Sequence, residues 1–193
     1  MTTSDPRIVL LRHGETEWSR TGRHTGRTDV PLTAEGEAQA RLAGDRVAAL
    51  GLRDPLVLAS TRQRALRTAE LAGLAAEVWD ALVEWDYGTY EGLTTPQIRV
   101  EVPRWTVWTH PCPGGETFDE AALRADTVLA VALSRLDDRD VVLVGHGHFS
   151  RVLLARWAGL PVSAGARFGM SAGAVSVLGF EHDVQQVVSH NLT

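Results

Sequence analysis

A chain of 193 residues with 44% hydrophobic content has the material for one packed domain, expected over residues 1–193. The net charge of −5, with no basic run, argues against nucleic acid, and no apolar stretch approaches the ~20 residues needed to span a bilayer. All 19 basic residues are arginine, which excludes a phosphate-loop lysine or a Schiff base. The single cysteine, Cys112, excludes an intrachain disulfide, and with Phe118 six positions on it lacks the arginine of cysteine-based tyrosine phosphatases. The start of the chain, Met1 to Pro6, has no basic region leading into an apolar one, so a cytoplasmic protein is expected.

In chain order, the run Ile8-Val9-Leu10-Leu11 reads as a buried strand that stops at Arg12-His13-Gly14. Residues 14–32 read as a polar, glycine-rich loop. Thr33 then caps a helix over 34–50, where Ala40, Ala43, Val47 and Leu50 recur at helical spacing and Gly51 is the stop. A second strand over 55–59 leads into Ser60 as N-cap and a helix to 72, with Arg64 in its first turn. Val78 to Val83 is strand-like and ends in the acidic, aromatic turn Glu84-Trp85-Asp86-Tyr87-Gly88. Thr95-Pro96 opens a short helix, and Trp105, Trp108 and Pro111 to Gly115 form an irregular insert expected to wall a pocket. Thr117 and Glu120 make a capping box for a helix whose Ala122, Leu129, Leu133 and Leu136 line one side. A third central strand, 140–145, precedes a helix over 148–158 that Gly159 and Pro161 end, and 173–180 with 185–189 form a terminal hairpin. Alternating strands and helices predict a three-layer α/β/α sandwich with a mainly parallel sheet and an antiparallel edge.

Three strands thus end in Arg12-His13, Ser60 with Arg64, and His146-Gly147. Ligands of open α/β sheets bind beyond the carboxyl ends of the strands, so two imidazoles and two guanidiniums converge where a phosphoryl group would suit them. Arg62 and Arg67, which flank Arg64, are read as ordinary surface arginines, and His24, His110, His182 and His190 as solvated.

Five ordered stretches carry a resemblance: Leu11 to Thr16; Gly22 to Gly26 running on to Asp29-Val30-Pro31-Leu32-Thr33; Ser60 to Arg64-Ala65; Glu84 through Gly88 to Glu91-Gly92; and Val144 to Gly147. Together they make the chain similar to the histidine phosphatase superfamily, in its phosphoglycerate-mutase-like branch. The resemblance implies the corresponding fold, His13 as the nucleophile that carries a phosphoryl group, and Glu84 as general acid and base in preference to Asp86 and Glu91. It implies Arg12, Arg64 and His146 as the catalytic phosphate ligands, with Ser19, Thr25, Gly26 and Gly147 as further substrate-binding positions. His13 needs an acceptor for its proton-bearing nitrogen, which the sequence does not identify. Proton donation by Glu84 requires a carboxyl that can hold its proton, a condition that desolvation by Trp85 and Tyr87 would favour.

The insert from Leu93 to Gly115 carries only Arg99 and Arg104, His148 stands where mutases have asparagine, and Ser19 where asparagine is usual. These departures favour hydrolysis over a cofactor-dependent phosphoglycerate mutase. The segment from Glu84 to Pro96 looks most like small acid-phosphatase-type members. A small phosphorylated metabolite, of sugar phosphate or phosphoglycerate type, is the expected partner, with neither cofactor nor metal. His146 and His148 as a metal pair is the alternative set aside, because no carboxylate or cysteine nearby completes the ligand set. A non-catalytic phospho-ligand-binding module is a second alternative, opposed by retention of the nucleophile, arginines and acid. Oligomeric state stays open, a homodimer included.

Overall fold

The computed structural model describes residues 6–137 and 139–193; the expectation about the leader rests largely on residues 1–5, which lie outside these. The six strands are β1 (Ile8–Arg12), β2 (Leu56–Ala59), β3 (Glu77–Val78), β4 (Val141–Gly145), β5 (Val175–Glu181) and β6 (Val184–Leu192). They form one sheet in the order β3-β2-β4-β1-β5-β6. The first four are parallel, and β5 and β6 add an antiparallel edge.

Alternation along the strands builds two cores. Ile8, Leu10, Val141, Leu143 and Leu178 face one side, and Val9, Leu11, Val57, Val142, Val144 and Val175 face the other. The second face is covered by α2 (Ala34–Ala49) and α3 (Gln63–Leu71) through Ala43, Val47, Ala65 and Ala69. The first is covered by α5 (Phe118–Leu133) and α6 (Gly147–Trp157), with α1 (Glu17–Arg20) and α4 (Thr95–Glu101) completing the helices among the described residues. The chain is therefore a three-layer α/β/α sandwich. No helix among the described residues is long and apolar enough to cross a membrane.

Several local expectations change. Residues 14–32 are not all loop, because Thr16 and Ser19 form a capping box that starts α1. Ser60 does not cap α3, which begins behind Arg62, and its hydroxyl is turned instead toward His146. The strand expected over 78–83 ends at Val78 and gives way to a 3₁₀ turn, Asp80–Leu82. Thr94, not Thr95, caps α4. On α5 the fully buried face is Ala121, Ala125, Val128, Leu129 and Ala132, with Ala122 and Leu133 only half-buried.

The amino ends of the strands are pinned by buried Asp140, whose carboxylate accepts from the Arg7 and Arg53 backbone N–H groups, each at 2.7 Å. At the carboxyl end the loop after His13 lies directly on α2: a Cβ on Gly14 would collide with the Gly36 carbonyl, and one on Gly36 with Glu15 backbone. Gly36→Ala should therefore destabilise the fold by about 1–3 kcal/mol, the usual cost of overpacking. Urea unfolding of the variant is the measurement, and a change below about 0.5 kcal/mol would contradict this close approach.

Candidate active site

Parallel register sets the site. Leu11, Ala59 and Val144 lie in one row across β1, β2 and β4, so the next residues, Arg12, Ser60 and Gly145, end the three strands together. Backbone bonds seal that edge, with His13 N donating to Gly145 O at 3.0 Å and Ser60 N to Val144 O at 2.9 Å.

His13 is buried, and its Nδ1 lies 2.7 Å from the Gly14 carbonyl. A carbonyl can only accept, so Nδ1 carries the proton and Nε2 keeps its lone pair. This is the acceptor that the sequence left unidentified. Burial, then the charges of Arg64 and Arg12, hold the imidazole well below its ordinary 6.5, so it is neutral at physiological pH.

The His146 ring lies 5.1 Å from that of His13, edge to face. Its Nδ1 accepts from Arg64 Nε at 3.2 Å, which leaves Nε2–H to donate to Ser60 Oγ at 2.8 Å. Burial, and after it the charge of Arg64, keeps this imidazole neutral as well. The fork of Arg64 is spent on the carbonyls of Thr28, Thr25 and Gly26 at 2.9, 3.1 and 3.2 Å. Arg64 and His146 are both 0% exposed. The expectation of four groups facing one point is corrected here: these two stand behind the site wall, with all their ring nitrogens and amino groups engaged.

In front is a cavity of 280 Å³ whose lining includes Arg12, His13, Ser19, Thr25, Glu84 and Gly147. Gly26 is not among its walls; its N–H and carbonyl hold Glu91 and Arg64. Ser19 reaches the cavity, but its hydroxyl is engaged in the α1 capping box. Arg12 donates from Nη1 to the Met170 carbonyl, while its Nε is buried without a partner among the described residues. Its guanidinium lies over Gly147, where a Cβ would sit 3.2 Å from Arg12 Cζ, so a side chain there would push the guanidinium away by a few tenths of an ångström.

Of the three candidate carboxylates, Glu84 alone lines the cavity. Asp86 pairs with Arg27 and accepts from Gly88 N, and Glu91 accepts from Gly26 and Thr28 N–H groups. The Glu84 oxygens accept from Trp85 N at 2.9 Å and, at the N-terminus of α6, from His148 N at 2.9 Å and Phe149 N at 2.8 Å. Trp85 and Tyr87 are both 1% exposed, and the backbone N–H groups that hold Glu84 are partners that the sequence did not reveal.

The sequence reading missed several walls. His24, expected to be solvated, is 9% exposed, bonds Thr95 Oγ1 at 3.2 Å and lines the cavity with Tyr87, His148, Arg151 and Met170. Trp105 and Trp108 are buried behind these residues, with ring centroids 5.1 Å from His24 and 5.3 Å from His148, so they support the wall without forming it. The signal for Arg151 was available, since positions 147, 148 and 151 of α6 share a helical face. The histidine pair set aside as a metal site is split between different partners, His146 with Ser60 and Arg64, and His148 with Tyr87.

The model of the histidine phosphatase superfamily (branch 1) matches residues 8–193. The chain belongs to this superfamily. An acid phosphatase of Mycobacterium tuberculosis is 52% identical, with the alignment covering 100% of this chain and 96% of the relative. Sedoheptulose 1,7-bisphosphatase of Saccharomyces cerevisiae is 33% identical over 84% of this chain and 71% of its own length. The solved structure of a mycobacterial glucosyl-3-phosphoglycerate phosphatase complexed with VO3 has 30% identity and a TM-score of 0.83, over 97% of this chain and 100% of that one. This superfamily member is thus an enzyme with phosphatase relatives.

Burial lowers His24 to about 4. Between that value and about 6.5 the unfolded chain binds a proton that the folded chain refuses, so stability falls as pH falls. His13, His146 and His148 are lowered too and act in the same sense. Urea unfolding between about pH 5 and 6.5 should show stability decreasing toward pH 5, with His24→Asn removing up to about 1.4 kcal/mol per pH unit of that slope. An unchanged slope would mean that His24 protonates in the fold.

Proposed function

We propose that the protein hydrolyses small phosphomonoesters through a phosphohistidine on His13. The observation that carries this reading is the Nδ1 to Gly14 carbonyl contact at 2.7 Å, which leaves the lone pair of a neutral imidazole on Nε2 in a residue that lines the cavity. That lone pair attacks phosphorus, the bond from phosphorus to the ester oxygen breaks, and the leaving oxygen takes a proton from Glu84. Water then attacks the phosphorus and gives its proton to Glu84, and the phosphorus–nitrogen bond breaks to return the electron pair to His13 Nε2 and release inorganic phosphate. Arg12 faces the phosphoryl oxygens from the cavity, while Arg64 and His146 act from behind: Arg64 adds charge and holds the loop from Thr25 to Thr28, and His146 braces the His13 ring. Such prearranged cationic stabilisation does the work that a metal does in other phosphatases.

A cavity of 280 Å³ suits substrates of sugar phosphate or phosphoglycerate size. The names of the relatives, an acid phosphatase, a sedoheptulose bisphosphatase and a glucosyl-3-phosphoglycerate phosphatase, support that class.

Rapid quenching of the enzyme with a labelled phosphomonoester should trap label that is acid-labile and base-stable, and His13→Ala should abolish both label and turnover. Turnover in excess chelator should match that without it; a loss restored by Mg²⁺ or Zn²⁺ would refute metal independence. Glu84→Gln should slow alkyl phosphates by about 10²–10⁴-fold and p-nitrophenyl phosphate less, since nitrophenolate leaves without a proton. Phosphorus NMR of 3-phosphoglycerate primed with 2,3-bisphosphoglycerate should show phosphate release outrunning isomerisation. The reverse order would make the protein a mutase.

A further inference from the structure

Two arginines that line the cavity, Arg23 and Arg151, are not used by the chemistry above; Arg23 is an exposed side chain, whereas Arg151 is held in place. Arg151 lies on α6, one turn beyond Gly147, so the helix sets it about 6 Å along its axis from the residue beneath the Arg12 guanidinium. Its Nε donates to the Gly165 carbonyl at 2.9 Å, and its guanidinium lies over the Trp108 ring, 4.6 Å from the centroid. Trp108 is itself fixed, because Gly165 packs so closely on its ring that a Cβ there would collide. The side chain is thus held at three places: its helix, a carbonyl and an aromatic face. Its two terminal amino groups have no partner among the described residues, and Arg151 lines the cavity.

A half-buried arginine held in place with its amino groups unpaired is prepared for an anion that comes with the substrate. Among the surrounding walls Glu84 acts on Arg151 through its charge but forms no ion pair or hydrogen bond with it. His24 and His148 are kept neutral by burial, Tyr87 Oη is bonded to His148 Nδ1 at 2.6 Å, and Glu84 is engaged with backbone N–H groups.

We propose that Arg151 is a specificity-determining residue that binds a second anionic group, carboxylate or phosphate, on the leaving-group side of the substrate. The inference rests on the phosphatase reading of the site and deepens it: the preferred substrates are phosphomonoesters whose alcohol carries another negative charge within a few bonds of the ester.

The test compares matched pairs by kcat/KM: 3-phosphoglycerate against glycerol 3-phosphate for a carboxylate, and fructose 1,6-bisphosphate against fructose 6-phosphate for a phosphate. The wild type should favour the member with the second anion in at least one pair by about 10–100-fold, the range of a charge-assisted hydrogen-bonded contact. Arg151→Met should collapse that ratio to within about threefold, and Arg151→Lys, which keeps charge but not the fork, should fall between. A wild type that does not favour the member with the second anion in either pair, or an Arg151→Met enzyme that keeps the ratio, would overturn the proposal. Calorimetric binding of 2-carboxyethylphosphonate and propylphosphonate to the wild type needs neither turnover nor a variant, and the carboxylate compound should bind more tightly if carboxylate is the second anion. Release of p-nitrophenol from p-nitrophenyl phosphate reports the phosphatase reading separately. If that release fails while the carboxyethylphosphonate preference stands, the hydrolytic reading falls and the anion site survives; equal binding of the two phosphonates together with no preference for fructose 1,6-bisphosphate removes the site.

Discussion

The site depends on burying a guanidinium whose hydrogen bonds all go to neutral acceptors. Arg64 is wholly enclosed, Asp29 pairs with it only at 3.9 Å from an exposed position, and Glu84 acts on it through charge without a hydrogen bond. Desolvating such an ion costs several kcal/mol even after relaxation, so every donor must find an acceptor. Four neutral acceptors, His146 Nδ1 and the carbonyls of Thr25, Gly26 and Thr28, take four of its five N–H groups. The consequence is structural and electrical at once. The loop bearing Thr25 is tied to the start of α3, and because carbonyls neutralise no charge, the cation keeps its field. That field helps hold His13 and His146 neutral.

A second organiser is the N-terminus of α6. Helix starts present unpaired N–H groups and a partial positive charge, and here an internal carboxylate, Glu84, occupies that position through His148 N and Phe149 N. The helix also supplies Gly147, which lets Arg12 approach closely, and His148 and Arg151 as cavity wall. Glu84, Arg12 and the wall formed by His148 and Arg151 are therefore referred to one rigid element that follows directly from β4. Small displacements of α6 would move all of them together.

Layering also separates tasks. Residues in front, Arg12, His13 and Glu84, keep a surface on the cavity. Residues behind, Arg64, His146 and Ser60, form a hydrogen-bonded layer with no exposure, and the tryptophans at 105 and 108 back the imidazole wall. The same chemistry of side chains serves both layers, but only position relative to the strand ends decides which role a histidine or arginine has.

Much of this was legible in the chain itself. Short branched apolar runs marked β1, β2 and β4, because strands covered on both faces must be apolar throughout, and the motif residues at their ends marked the crevice. Thr33, Thr117 and Gly159 marked helix ends through capping and left-handed backbone, both local effects. The strand expected over 78–83 was not legible, since apolar composition there serves the 3₁₀ turn that buries Leu82. Nor was the burial of His24, because its neighbours Tyr87, Trp105 and His148 are far away in sequence and meet it only after folding. What the sequence by itself determined was the set of chemical groups and the strands that deliver them, since these follow from residue type and local periodicity. Which nitrogen of His13 bears the proton, which arginine faces the cavity and which lies behind it were decided by the tertiary structure alone, because hydrogen-bond partners and burial arise from contacts between distant segments.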